Sequence, residues 1–342
     1  MMNFFKKLFG IKPSFIHGVI PEDPLVLSRQ PKLEEMVASV NPVVWTALDI
    51  SKIPNYKVRN QNGSSGCVAF TLSLMSSILY FIRTGQWVDF SPAWIYSKRA
   101  NKPQPGMVST NAFEIAQKGM LPDDFLPSDN KDEEYLNNPP NVFDWFNKMS
   151  EVFSLDTKLV ILPVKDIETV ASVIQTTGKP VMVWFQFGDG EWGAVPKIVN
   201  NNPPYHHSVT TIPPSKAGEQ TIGIYEGEKA IVIQDSWGRD LGTINGKRII
   251  KQSFFNKRNT FAAYPIRFKF DAVDSKPTYD GTTVSLQNCL KYEKCFPVNI
   301  DSTGFFGNIT IEAVKKFQSK YGIQQTGNVG PMTEAKLRQL FT

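Results

Sequence analysis

The sequence predicts an α+β protein followed by a small helical domain. Helical patterns dominate from Ser64 to Gly119. Short β-branched and aromatic runs dominate from Lys158 to Phe254, and helical periodicity returns beyond Val284. A chain of 342 residues has room for about two domains of ~150 residues each.

Residues 1–42 are rich in Pro and charge and read as an irregular lead-in or short pro-segment, with one short helix expected in "PKLEEMVAS". Within it, "MMNFFKKLFGIKPSF" has apolar runs too short for a signal-peptide core or a membrane span. A short basic surface helix, or a tag folded onto its own domain, suits it. Next comes a long helix that Ser64 or Ser65 can cap and Gly85 ends. Its residues Val68, Ala69, Phe70, Leu72, Met75, Ile78 and Leu79 are apolar on almost every face, so the helix belongs in a domain core. "SPAWIYSKRAN" and "STNAFEIAQKG" are further helices, the second stopped by Gly119. "KLVILPV", "KPVMVWFQF", "HHSVTTI", "EKAIVIQDSWG" and "GKRIIKQSF" then read as strands bounded by Gly, Pro and Asn. "DAVDSKPTYDGTT" is a linker, which divides the chain into 43–269, a linker at 270–282 and a final domain at 283–342.

Composition narrows the function. Hydrophobic residues make up 41% and charged residues 20%, as in a soluble globular protein, and no repeat of solenoid length is present. The formal charge of +5 is mild and no basic stripe accompanies it, which speaks against nucleic acid and suits an anionic surface such as cell wall. Three cysteines do not make a disulfide framework; Cys289 and Cys295 suit either a bridge or two small core residues. The only histidines are His17, His206 and His207, so no metal-ligand set is visible and no cofactor is expected.

Cys67 stands at the mouth of the buried helix. A thiol is nucleophilic as its thiolate, and a helix N-terminus favours that anion. A lone buried cysteine is more often a small apolar residue, so the neighbours decide. His206-His207 opens a strand and supplies a base; Asp235, in "IQDSWG" on the next strand, can hold that base in one tautomer.

In "QNGSSGCVAF", "HSVTTI" and "DSWG" the sequence resembles the papain-like cysteine peptidases, over about residues 42–268. "FSPAWIYSKRAN" and "GMVSTNAFEIAQKGMLPDDFLP" are similar to that family's helix and glycine-bearing loop. The resemblance implies a two-lobed fold, with a helical left lobe and a β-barrel-like right lobe, and hydrolysis of a protein or peptide substrate. It makes Cys67 the nucleophile, Gln61 the oxyanion-hole side chain, His207 rather than His206 the base, and Asp235 the orienting residue. Gly66 and Gly106 fall on the substrate side, Gly106 as the contact to substrate backbone, and Trp237 covers Asp235 from water.

The chain departs from the family pattern at several positions. Val68 follows the nucleophile where the family has Trp, Ser64 replaces a disulfide cysteine, Pro105 replaces a first cleft glycine, and Leu241 replaces a second tryptophan, which loosens the shield around Asp235. Asp235 stands where the family has Asn. A carboxylate there favours imidazolium but opposes the thiolate, and the net sign stays open.

From Val284 to Phe341 the sequence resembles the small three-helix peptidoglycan-binding domain, in "LQ", "GFFGNITIEAVKKFQ" and "TGNVGPMT". Leu286, Leu290, Val314, Phe317 and Leu337 supply its core and Thr310 caps its middle helix. The combined reading is a cysteine peptidase with a Cys-His-Asp triad, carried to bacterial cell wall by its last domain, from a bacterium or a bacteriophage. The alternative is a catalytically inactive papain-like protein that binds wall or builds a virion. The compartment stays open: extracellular, wall-associated or virion-associated.

Overall fold

The computed structural model describes residues 18–30, 33, 42–154, 159–199, 201–239, 242–265, 277–297 and 302–341. The expectations for the first fifteen residues, for a helix in "PKLEEMVAS", for Leu241 and for most of the linker lie outside these described residues. Helices α1 (Pro24–Ser28), α2 (Cys67–Thr84), α3 (Pro92–Tyr96), α4 (Ser109–Lys118), α5 (Glu133–Asn137) and α6 (Trp145–Glu151) come first. Strand β1 (Leu159–Ile161) and helix α7 (Ile167–Thr177) lead into β2 (Met182–Phe187), β3 (Tyr205–Thr211), β4 (Ile222–Tyr225), β5 (Glu228–Gln234) and β6 (Lys247–Lys251). Helix α8 (Gln252–Arg258) and β7 (Asn259–Pro265) complete this part, and α9 (Thr283–Tyr292), α10 (Asn308–Lys320) and α11 (Pro331–Phe341) form the C-terminal one.

The strands build one seven-stranded antiparallel sheet in the order β1-β7-β2-β3-β5-β4, with β6 paired to β5 beside that path. Alternation along the strands divides two cores. Met182, Trp184, Phe261 and Ala263 face the helical lobe, where they meet Val68, Phe70, Trp94, Phe113 and Met120. Val183, Phe185, Phe187, Ala262 and Tyr264 face the other way, against α7 and α8. The α+β architecture with a helical and a sheet lobe is as predicted.

Helix α2 carries both sides of this arrangement. Val68, Phe70, Leu72 and Met75 enter the helical core, while Leu74 and Ile78 pack on Ala230, Val232 and Ile249 of the sheet. From Cys67 to Leu79 the helix is covered on every side, which calls for apolar residues nearly all round. It ends at Gly85, as expected, but its start differs: Gly66 is the N-cap and makes no side-chain cap bond. Ser64 and Ser65 are used otherwise. The Ser64 carbonyl accepts from Gln61 and the Ser65 amide donates to Glu133, so the turn before the helix is held by tertiary partners.

The C-terminal core contains Leu286, Leu290, Val314, Phe317 and Leu337, as predicted. Thr310 is not the cap of α10; Gly307 holds that position, and the Thr310 hydroxyl bonds Gln287 instead. Two buried glutamines lock the loops. Gln287 reaches the Phe305 carbonyl and the Gly304 amide, and Gln318 reaches the Asn328 carbonyl and the Gly327 amide. Cys289 and Cys295 are unbridged and buried, and burial pushes the Cys289 thiol up to about 12.

Candidate active site

Cys67 is the first residue of α2 and His207 lies on β3. Thr71, one helical turn beyond Cys67, donates its hydroxyl to the Ser208 carbonyl at 2.8 Å, which clamps the start of the helix to the strand beside His207. Cys67 lies close enough to the His207 ring to help hold it protonated. On the far side of the ring, Nε2 lies 2.8 Å from Asp235 Oδ1. With Nε2 so engaged, Nδ1 is the nitrogen left for the thiol. His207 is buried, whereas His206 is partly exposed and, by alternation, on the opposite face of β3.

Asp235 follows β5 and is completely enclosed. Its Oδ1 accepts from His207 Nε2 and from the Ser236 amide (2.7 Å); its Oδ2 accepts from Trp192 Nε1 (2.9 Å) and Arg248 Nε (2.6 Å). Burial by itself would raise this carboxyl, but the Arg248 guanidinium and then His207 outweigh it and hold it well below the usual carboxylate range. Burial alone would likewise lower His207. The attraction and hydrogen bond of Asp235, together with Cys67, overcome it and push the imidazole up to about 9.

Sequence reasoning missed Arg248 and Trp192. Arg248 is buried on β6, in phase with Ile250, which faces the sheet-lobe core. Trp192 comes from the loop after β2 and backs Asp235. Phe187, Trp192 and Trp237 surround the His207 ring, with Trp237 at 4.9 Å between centroids. Trp192 thus supplies a second indole beside Asp235 and His207.

Gln61 comes to the same place by strand pairing across the lobes. Its amide donates to the Ser236 carbonyl at 2.8 Å, Asn60 bridges Trp237, and the Gly238 amide donates to the Arg59 carbonyl. The Gln61 side chain is fixed at both ends: Nε2 donates to the Ser64 carbonyl (2.6 Å) and Oε1 accepts from Ser236 Oγ (2.6 Å). Gly66 packs against Leu136 directly before Cys67.

Gly106 differs from expectation. Its N–H donates to the Tyr96 hydroxyl and its carbonyl accepts from Asn101, so both polar groups serve the helical lobe. The neighbouring Met107 makes the extended contact instead: its amide donates to the Gly18 carbonyl and its carbonyl accepts from the Ile20 amide, each at 3.1 Å. The irregular lead-in is thus partly a strap over the cleft. Val19 pairs in parallel with Met107 and is buried, and a Cβ on Gly18 would lie 2.6 Å from Cys67 Sγ. Glu22 secures the strap by accepting from the Thr110 amide (2.9 Å) and hydroxyl (2.6 Å) at the start of α4. Under this strap Cys67 is 1% exposed, so no reagent reaches the thiol unless the strap moves.

Among the described residues, no group of three or more His, Cys, Asp or Glu is placed to hold a metal ion, and no helix is long and apolar enough to cross a membrane.

Solved structures share this chain path. Xylellain, a cysteine protease from Xylella fastidiosa, superposes with a TM-score of 0.56 over 73% of this chain and 95% of its own, at 16% identity. The fold is papain-like. Digestive procathepsin L2 proteinase from Tenebrio molitor larval midgut aligns with the papain-like part at a TM-score of 0.55 and 17% identity, over 77% of this chain and 87% of its own. Beyond the papain-like lobes, residues 281–337 match the family described as putative peptidoglycan binding domain. A stretch of 57 residues, 17% of this chain, is 40% identical to an uncharacterized protein in the bpoA1 3' region of Kitasatospora aureofaciens, and it spans 48% of that relative.

Proposed function

We propose that the protein is a cysteine peptidase of the papain-like fold, with residues 43–269 as the peptidase domain, 270–282 as linker and 283–342 as a module that carries it to peptidoglycan. The observation that carries this reading is the placement of Cys67 at the buried start of α2 beside the His207 ring, whose Nε2 is bonded to Asp235 at 2.8 Å.

The chemistry follows from that chain. Cys67, its thiol proton passed to His207 Nδ1, attacks the scissile carbonyl carbon through Sγ, forming the C–S bond as the carbonyl π bond opens and places charge on the oxygen. The second N–H of the Gln61 amide and the Cys67 backbone N–H, which has no partner inside the helix, stabilise that oxygen. His207 gives its Nδ1 proton to the leaving nitrogen as the C–N bond breaks. A water molecule, deprotonated by His207, then attacks the thioester, the C–S bond breaks and the carboxylic acid leaves. Asp235 keeps the ring in the orientation this requires, and Trp237 screens it. Substrate backbone pairs with Met107, where the strap lies in the closed state. The strap makes residues 18–28 a pro-segment that holds the enzyme closed until it is displaced.

The C-terminal module concentrates the cleft near wall-attached peptides. The test compares the wild-type chain, a strap-displaced G18V chain and C67A against a fluorogenic peptide library, with labelling by an epoxide-class thiol reagent alongside. Hydrolysis and labelling in G18V, both lost when C67A is added to it, are expected. Equal turnover with and without Cys67, or no labelling of the displaced form, overturns the reading in favour of a non-catalytic wall-binding or virion protein.

A further inference from the structure

We propose that Arg248 is a positioning residue that acts through Asp235, turning a carboxylate into the near-neutral acceptor that His207 needs. The proposal rests on the peptidase reading for its catalytic meaning, and on geometry alone for the pairing.

A carboxylate in the place of an amide brings a full charge into an enclosed site. Left alone, it would either take up a proton or bind the imidazolium so tightly that the ring would be a poor acid. Arg248 prevents both. Its Nε lies 2.6 Å from Asp235 Oδ2, on the oxygen away from His207, and its Nη1 donates to the carbonyls of Trp192 (2.8 Å) and Gly242 (3.1 Å). The guanidinium also lies over the rings of Trp192 (5.0 Å) and Trp237 (5.6 Å), the same indoles that flank His207. Arg248 and Asp235 are both shut off from solvent, so water does not screen the pair.

The two oxygens of Asp235 therefore have separate duties: Oδ2 is neutralised by Arg248 and Trp192, and Oδ1 faces His207 as a fixed acceptor. Among the described residues, ionisable groups near the pair include Cys67 from α2, His206 on the opposite face of β3, and the buried Arg59, which lines a pocket with Asp235 and is itself paired with Asp89 and Asp123. Glu191, beside Trp192 in sequence, is matched by Arg258 at 2.6 Å and adds no net charge. The pair of Asp235 and Arg248, rather than Asp235 alone, stands where the family has a neutral amide.

The experiment follows the imidazole of His207 by nitrogen NMR in histidine-labelled full chain, which has only three histidines, and measures kcat and KM in the G18V background. The proteins are wild type, D235N, R248Q and D235N/R248Q, with near-ultraviolet circular dichroism as the check of folding. D235N leaves a buried cation facing the ring and lowers its proton affinity at least about tenfold, one pH unit in the titration. R248Q leaves the carboxylate uncompensated and raises the affinity. The double variant, neutral again, returns toward wild type and recovers at least about tenfold of the kcat lost in D235N, with KM unmoved. A merely structural role would not shift the two single variants in opposite directions.

A double variant that titrates like D235N, or an R248Q chain whose His207 titrates as in wild type, overturns the proposal. Should R248Q not fold, the comparison of D235N with the double variant decides it. Expected titrations without peptide hydrolysis in any chain would sink the peptidase reading and leave the pairing standing; hydrolysis with unmoved titrations would do the reverse.

Discussion

Gly18 lies against Cys67 so closely that a Cβ at residue 18 would come within 2.6 Å of the sulfur and 3.1 Å of the Ser65 carbonyl. Only a residue without a side chain fits there. The G18V chain is expected to lift the strap and raise the rate of Cys67 alkylation by small iodo reagents by at least about tenfold, since exposure of the thiol limits the reaction. Peptide mapping of the alkylated residue checks it. An unchanged rate would mean that the strap exchanges freely in the wild-type chain.

On the peptidase reading, His207 sets the alkaline limit of activity. The ring must be protonated to supply the leaving nitrogen, and it stays so up to about 9. In a strap-displaced chain, kcat/KM is expected to fall as pH passes that value. Stability follows the same sign: a raised histidine contributes fully below its unfolded value near 6.5 and loses the contribution as pH rises through about 9. A pH series of denaturant midpoints in C67A and wild type reads this separately from turnover.

Trp192→Phe removes the indole N–H from Asp235 Oδ2 and leaves the aromatic packing. The loss of one buried hydrogen bond is expected to cost about 1–3 kcal/mol of stability. In the strap-displaced chain kcat falls more than KM changes, because the orientation of His207 is loosened rather than substrate contact. Steady-state kinetics and urea unfolding on the same preparation test both parts. A pure KM effect would mean that Trp192 touches substrate.

In the strap-displaced chain, removing the Gln61 side-chain amide, as in G18V/Q61A, is expected to lower kcat about 100-fold or more while Cys67 still labels, since alkylation needs the thiol but no oxyanion donor. S236A takes away the hydroxyl that holds Gln61 Oε1 at 2.6 Å and is expected to show a smaller loss of the same kind. Parallel labelling and turnover assays separate these from loss of the nucleophile.

For the C-terminal module, the C67A chain is expected to sediment with purified sacculi. Gly327 has a left-handed backbone (φ 76°) and a Cβ there would meet Ile311 at 2.7 Å. G327V should therefore unfold the module and abolish sedimentation while the papain-like part stays folded. Sedimentation of G327V equal to the parent would assign wall binding elsewhere.

Much of this protein is legible in its sequence where one local pattern has one physical outlet. The run after Cys67 is apolar on every face, so it had to be interior, and its first residue had to sit where core meets cleft. The strands over 182–187, 205–211 and 228–234 alternate or run apolar between Gly, Pro and Asn and appear where expected. Helix α7 was overlooked although its signals were present: Asp166 accepts from the Thr169 amide as N-cap and Gly178 ends it. "GKRIIKQSF" was read as one strand, but it turns into helix α8 at Gln252.

What was not legible is whatever depends on partners distant in sequence. Arg248 in a basic strand looks like a solvent-facing cation until Asp235 is placed behind it. The requirement was still visible, because a buried carboxylate calls for a cation. Trp192 lies in a loop whose path no periodicity gives. That the backbone groups of Gly106 are engaged by Tyr96 and Asn101, leaving Met107 to pair with residues 18–20, is decided only in the folded lobe.

The pairing of residues 59–61 with 236–238 has a mechanical consequence. The strand that bears Gln61 and the strand that follows Asp235 are stitched by backbone bonds, so swinging one lobe away from the other would tear the oxyanion donor and the anchor of the ring out of register at once. The catalytic parts must then travel as a single block. On the peptidase reading, the site is assembled at folding, and the step left to control is the peeling of a short peptide off a sulfur.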